Sequence, residues 1–252
     1  INETSITQPL LLLCSYLHFQ KLQDSMDISP AYFAGHSLGE YSALVAANSI
    51  PVNVALKLVR KRGELMELAP KGSMSAIMGL EDNIISEICL AASTGENSHV
   101  QCANLNSPNQ TVISGHDDAI NRAQDLCLSK GAKRAIKLKV SIASHSKLML
   151  RAADEFQQAL EAVEFCMPDT KIIHNVSVEA ASSPHEIQSL LVSQLHSPVR
   201  WVEICDFIAT LNLPIIECGP GKVLSGLFKS NKLDSYFSTS DEEFYEKINN
   251  YG

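Results

Sequence analysis

Gly35-His36-Ser37-Leu38-Gly39-Glu40 lies between an apolar segment, Ala31-Tyr32-Phe33-Ala34, and a helical pattern that starts at Tyr41. It fits Gly-x-Ser-x-Gly in the order strand, sharp turn, helix, which is the setting of a nucleophile elbow. Small residues two before and two after the serine let the backbone pass closely. The helix that follows offers unpaired N–H groups and positive potential, which suit an oxyanion. The bare pattern also occurs by chance in many proteins, so its meaning depends on the rest of the chain.

Outward from the elbow, the periodicity predicts α/β texture on both sides. Residues 8–23 read as a helix with Pro9 in its first turn, and 31–35 as a short buried strand. Helices follow over 38–47 and 52–69, the second started by Pro51 and stopped by Pro70-Lys71-Gly72. From 73 the order becomes β-α-β-β-α-β: strand 73–79, helix 82–92, strands 100–103 and 111–114, helix 117–129, strand 132–140. That is the split-βαβ or ferredoxin-like unit. Asn104–Gln110, rich in turn residues, reads as the hairpin connection. In 132–140, Ile136, Leu138 and Val140 face one way and Lys137 and Lys139 the other. The α/β pattern then resumes with helix 146–164, strand 171–176, helices 185–195 and 201–211, strand 214–218 and a final helix from Lys222. The expected fold class is therefore α/β. A large subdomain, 1–72 and 141–252, carries an inserted small subdomain, 73–140.

Composition narrows the function. The chain has 252 residues, of which 45% are hydrophobic and 19% charged, enough for a core and too few charges for disorder. The formal net charge of −8 argues against a nucleic-acid partner. Seven scattered cysteines form no C-x-x-C pair, which points away from a disulfide framework or a zinc site and suits a reducing, cytoplasmic setting. Leu10–Leu13 is apolar, but His18, Gln20 and Lys21 follow too soon for a membrane span.

Ser37 needs a base to act as a nucleophile. Of the eight histidines, His145 is the best placed, in a loop between the last strand of the insertion and the next helix. The competing reading is a polar residue beside a helix cap supplied by Ser144 or Ser146. His36 should diverge from Ser37 at the turn, and His174, inside a strand pattern, reads as a satisfied core or edge residue. Arg62 falls on the apolar stripe Val54, Leu58, Leu65, Met66, and a guanidinium there needs a partner. Two partners fit: a structural carboxylate, the usual case, or a substrate carboxylate held bidentately. Glu217-Cys218-Gly219-Pro220-Gly221-Lys222 lacks phosphate-loop spacing and reads as a structural βα turn. Lys130, Lys133, Arg134, Lys137 and Lys139 form a basic run, a solvated face that also suits an acidic partner.

The chain resembles malonyl-CoA:acyl-carrier-protein transacylases and polyketide synthase acyltransferases. The resemblance runs through Thr7-Gln8-Pro9, the stretch 35–44, Arg62-Gly63 with Met66, Asn104–Pro108, Ser144-His145 and Asn175-Val176. It continues through Gln194-Leu195, Pro198-Val199, Trp201 and Gly219–Leu224. It implies a hydrolase-like α/β domain with a ferredoxin-like insertion and a Ser-His dyad. By that likeness Ser37 is the acylated nucleophile, His145 the general base and the Gln194 carbonyl the group that orients it. Arg62 clamps the free carboxylate of malonate, and the Leu38 N–H is an oxyanion donor. Asn104 and Asn106 lie beside the pantetheine arm and Asn175 near the active site.

The implied reaction transfers malonyl from malonyl-CoA, a CoA thioester, to the phosphopantetheine thiol of an acyl carrier protein, with no tightly bound cofactor and no metal. An acyl hydrolase of the same fold, clearing carrier proteins, is the alternative, and Arg62 favours transfer. The family begins with a strand and Gly-Gln-Gly, whose glutamine N–H is a second oxyanion donor. No such segment precedes residue 8, so an N-terminal strand segment is expected to be missing from this sequence.

Overall fold

Strand alternation builds the smaller sheet. The computed structural model describes residues 3–251, so the ends of the expected large subdomain at 1–2 and 252 lie outside the described residues. β2 (Ser73–Met78) is central, antiparallel to β4 (Gln110–Gly115) on one side and β5 (Arg134–Lys137) on the other. β3 (Val100–Ser107) pairs with β4, giving the order β3-β4-β2-β5. Ile77 and Ile113 point to one face, where α4 (Asp82–Ala92) and α5 (Asp117–Ser129) cover them with Ile85, Ile88, Ala119 and Ile120. Met74, Ala76, Ala103 and Val112 point to the other face and pack with Leu138.

The rest is helical, around two short parallel strand pairs. α1 (Thr4–Ser25), α2 (Gly39–Ala46), α3 (Val52–Leu68), α6 (Leu150–Glu161) and α7 (Pro184–Gln194) share a core that includes Leu12, Leu44, Leu58, Phe156 and Leu191. β1 (Phe33–Ala34) pairs in parallel with β6 (Ile172–Ile173). β7 (Ile215–Glu217) pairs in parallel with β8 (Tyr236–Ser238). α8 (Trp201–Leu211) and α9 (Val223–Ser230) pack beside them through Trp201, Ile204 and Phe228.

Several boundaries differ from the sequence expectation. β3 runs to Ser107, so Asn104–Ser107 is strand rather than connection. Its polar side chains mimic a turn, but β4 supplies ladder partners as far as Ser107, and Leu105 N–H donates to the Val199 carbonyl. β5 is an edge strand of four residues, and Ile136 is 44% exposed instead of facing a core. β6 stops at Ile173, because His174 and Asn175 turn away to bond Glu40 and Gly35. The helix from Lys222 is not the last: β8 and α10 (Phe244–Asn249) follow. Helix 146–164 opens as a 3₁₀ turn, Lys147–Met149, before α6.

Pro9 lies inside α1, not in its first turn. The helix starts earlier because α3 receives it: the Ser5 N–H donates to Glu67 Oε1 at 2.9 Å. Gly63 makes room, since a Cβ there would come within 2.5 Å of the Ser5 Cα.

Candidate active site

The elbow needs glycine at one position. A Cβ on Gly35 would sit 2.1 Å from the carbonyl carbon of Gly39, so the turn closes only without one. Gly39 differs from the sequence expectation: a Cβ there meets nothing within 4 Å. Ser37 has φ 50°, in the left-handed region where a non-glycine residue is strained. Asn175 holds this strained turn. Its Oδ1 accepts from the Ser37 N–H at 2.7 Å, and its Nδ2 donates to the Gly35 carbonyl at 2.6 Å.

The serine hydroxyl meets His145, which the fold brings from more than a hundred residues away. Ser37 Oγ and His145 Nε2 are 2.9 Å apart. His145 Nδ1 lies 2.7 Å from the Gln194 main-chain carbonyl. A carbonyl only accepts, so Nδ1 carries the proton and Nε2 offers its lone pair to the hydroxyl. The two readings of this loop are compatible, because Ser146 caps the 3₁₀ turn while His145 faces Ser37. His145 also has a left-handed φ of 59°. Its N–H donates to the Leu195 carbonyl, and its own carbonyl accepts from Gln101 Nε2 at 3.0 Å. Burial, with the Arg62 charge as the next cause, holds the imidazole down to about 3, against a raising effect of the Gln194 carbonyl.

Arg62 is 2% exposed. Of the two partners weighed for it from the sequence, the structural carboxylate is not there: among the described residues Arg62 makes no salt bridge. Nη1 donates to Gln8 Oε1 at 2.7 Å, while Nη2 donates to Gln194 Oε1 at 3.0 Å and to Ser37 Oγ at 3.2 Å. Its Nε is buried and makes no hydrogen bond among the described residues. The guanidinium also lies 5.6 Å from the centre of the Tyr41 ring. Burial lowers its pKa, and the neighbouring Tyr41 and Glu40 oppose that. An arginine remains protonated under such a shift.

The other sequence-predicted residues divide. The Leu38 N–H lies at the start of the turn into α2 and donates to no described group. Asn106 accepts from or donates to no member of the Ser37 cluster directly. It meets the elbow through His36, whose Nε2 is 2.9 Å from Asn106 Oδ1. The His36 ring does diverge from Ser37, lying 5.3 Å from Trp201. Asn104 is buried on β3 beside Val199, and its side chain makes no hydrogen bond with the cluster. Three members escaped the residue-by-residue reading: Gln8, Glu40 and Gln101. Gln8 and Glu40 sit inside stretches that carried the resemblance, and Gln101 has no local signal.

A cavity of about 780 Å³ adjoins the cluster. Gly35, His36, Leu38 and Gly39 form one wall, with Asn106 and Trp201 nearby, and Ser37 itself is not among its lining residues. Among the described residues no group of three or more His, Cys, Asp or Glu side chains is arranged to hold a metal.

Comparison with known proteins gives the family of the chain. The model of the family described as acyl transferase domain matches residues 1–227. A malonyl CoA-acyl carrier protein transacylase of Salmonella typhimurium is 43% identical over 233 residues, which is 91% of this chain and 75% of that protein. The protein of the same name from Bacillus subtilis is 43% identical over 244 residues, 95% of this chain and 76% of its own. Among solved structures, an acyl carrier protein S-malonyltransferase from Vibrio cholerae superposes with a TM-score of 0.94 at 44% identity, covering 98% of this chain and 82% of that one. A type II PKS acyl-carrier protein in complex with its malonyl-transacylase gives 0.93 at 39% identity, covering 99% and 82%. An elbow serine paired with a carbonyl-held histidine, in a chain matched over most of its length, places this protein in the acyl transferase domain family.

Proposed function

We propose that this protein transfers a malonyl group from malonyl-CoA to the phosphopantetheine thiol of an acyl carrier protein through an acyl-serine intermediate. The observation that carries the reading is the chain Ser37 Oγ, His145 Nε2, His145 Nδ1, Gln194 carbonyl, closed at 2.9 and 2.7 Å. The names of the similar proteins, and the carrier protein bound in one of the superposed structures, support the substrates.

In the first half-reaction His145 takes the Ser37 proton as Oγ attacks the thioester carbonyl. The unpaired Leu38 N–H donates to the oxygen that becomes negative. The tetrahedral intermediate collapses, and His145 returns the proton to the departing CoA sulfur. Arg62 binds the free carboxylate of the malonyl group, which distinguishes it from an uncharged acyl chain. In the second half-reaction the carrier thiol gives its proton to His145 and attacks malonyl-Ser37, and Ser37 Oγ leaves with that proton. Asn175 keeps the elbow in its strained form, and Asn104 and Asn106 flank the approach of the pantetheine arm. The reaction needs no bound cofactor.

The architecture fits the same proposal. Residues 73–140 form a ferredoxin-like subdomain, supported by the strand order β3-β4-β2-β5, inserted in a hydrolase-like α/β subdomain made of 1–72 and 141–252. Free cysteines throughout, and no described helix long and apolar enough to cross a membrane, support a cytoplasmic site of action.

Intact-mass spectrometry after brief incubation with malonyl-CoA, then with holo carrier protein, tests the function. A malonyl adduct that is absent in Ser37→Ala and passes to the carrier supports transfer. An adduct that decays to free acid without a carrier points to the hydrolase.

A further inference from the structure

Glu40 is 1% exposed, in the first turn of α2, three residues after Ser37. Its Oε1 accepts from His174 Nδ1 at 2.6 Å. Its Oε2 accepts from the Asn175 N–H at 3.1 Å and from Gln194 Nε2 at 2.7 Å. The other end of the Gln194 carboxamide faces Arg62, Oε1 to Nη2 at 3.0 Å. A carboxylate only accepts and a guanidinium only donates, so the two charges dictate the same amide orientation from opposite ends. A buried anion and a buried cation are thus joined by one polarised amide rather than by contact, and each is costly alone.

We propose that Glu40 is a positioning residue which, through the Gln194 carboxamide, fixes where Arg62 presents its guanidinium to the carboxylate of the acyl group. The proposal rests on the reading of Ser37, His145 and Arg62 given above. A glutamine at position 40 has one acceptor oxygen for three donors: His174 Nδ1, the Asn175 N–H and Gln194 Nε2. The amide of Gln194 then keeps Arg62 on its Oε1 and the Ser37 carbonyl on its Nε2 at 3.0 Å but loses the charged acceptor that anchors it, so the partner of Arg62 is held less firmly. Glu40 also supports the elbow through Asn175, so a merely structural role has to be told apart. Elbow damage slows acylation by every acyl group. Misplacement of Arg62 slows acylation by a carboxylated group more than by an uncharged one, because only the former also loses its carboxylate contact.

The readout is the ratio of Ser37 acylation rates from malonyl-CoA and acetyl-CoA, followed by intact mass in the full chain. Glu40→Gln is expected to lower that ratio about tenfold or more, the scale of a lost charge-assisted hydrogen bond. Gln194→Met keeps the main-chain carbonyl under His145 while removing the carboxamide, and is expected to lower the ratio similarly. In an Arg62→Ala background Glu40→Gln is expected to change the ratio no further, because the two act through one contact. Parallel losses for both acyl groups, an unchanged ratio in either single variant, or a further loss in the Arg62→Ala background overturns the proposal. Should Glu40→Gln not fold, Gln194→Met and the double variant with Arg62→Ala decide it. An Arg62→Ala ratio equal to the unsubstituted protein's overturns the carboxylate role of Arg62 itself, a failure separate from that of Glu40.

Discussion

Arg62 donates to the elbow serine: Nη2 lies 3.2 Å from Ser37 Oγ, on the same hydroxyl that stands 2.9 Å from His145 Nε2. The hydroxyl has one proton and two lone pairs, so it donates to the imidazole and accepts from the guanidinium. In the proposed attack, the proton leaves an oxygen that already faces a buried cation as negative charge grows on it.

The roles proposed for Ser37 and His145 are therefore separable by substitution from the role proposed for Arg62. Ser37→Ala is expected to take up no acyl group. His145→Ala is expected to slow acylation by about 10²–10⁴, the usual contribution of a positioned base. Single-turnover acylation by malonyl-CoA measures both, and a His145→Ala rate near that of the unsubstituted protein rules out the base assignment.

Arg62→Lys is expected to behave as a severe change. Two guanidinium nitrogens bond Gln8, Gln194 and Ser37 together, a geometry that one ammonium on a flexible stem does not reproduce. A fall of about 100-fold in kcat/KM for malonyl-CoA is expected, in the range for disrupting a buried charge network. Steady-state kinetics against a fixed carrier concentration checks it, and a loss under threefold, roughly 0.6 kcal/mol, contradicts it.

The pH dependence follows from His145, held down to about 3 mainly by burial and then by Arg62. In the unfolded chain its pKa is about 6.5. The native imidazole stays neutral where the unfolded one takes up a proton. Its contribution to stability is complete above about pH 6.5 and declines progressively as the pH falls towards 3. As the proposed base, His145 likewise remains available through that window, so the acid limb of acylation is expected well below pH 6.5. Pre-steady-state rates across a pH series test this, and an inflection near 6.5 argues against it.

The two elbow glycines are expected to respond differently. Gly35→Ala places a methyl 2.1 Å from the Gly39 backbone and should destabilise the fold by about 2 kcal/mol or more while abolishing acylation. Gly39→Ala meets open space at the start of α2 and should leave thermal stability within about 0.5 kcal/mol. Chemical denaturation of both variants, compared side by side, decides whether the constraint is one-sided.

The basic run is expected to serve the carrier and not the CoA thioester. Lys133, Arg134 and Lys139 are exposed on or beside the edge strand β5, and Lys137 there pairs with Asp117. Charge reversal at Lys133, Arg134 and Lys139 should raise the KM for carrier protein severalfold, more so at low salt, with Ser37 acylation unchanged. Identical carrier kinetics for the reversed and unsubstituted proteins would exclude this face.

Much of the fold was legible because its periodicities are local. The helix Asp82–Ala92 and the helix Asp117–Ser129 read directly, since each shows a 3.6-residue apolar repeat beside clear stops. Asn104–Ser107 did not, because a strand whose side chains are polar has the composition of a turn, and the β4 ladder that makes it a strand is a tertiary partner. Pro9 misled for a similar reason: the contact of Ser5 with Glu67 lengthens α1 past the point where local rules start it.

The sequence by itself determined the elbow. Gly35 and Ser37 sit in the one local order, strand then turn then helix, that exposes a serine, and Arg62 was marked by its place on an apolar stripe. Only the tertiary structure decided what these residues meet. It brought His145 to Ser37 and Gln194 to His145, and set Gln194 between Arg62 and Glu40, so the protein partner of Arg62 is an amide and not the structural carboxylate that was one of its two expected partners. The physical reason is range. Turn geometry and amphipathic faces are fixed within a few residues, whereas the partner of a buried charge is chosen by which distant segments pack against it.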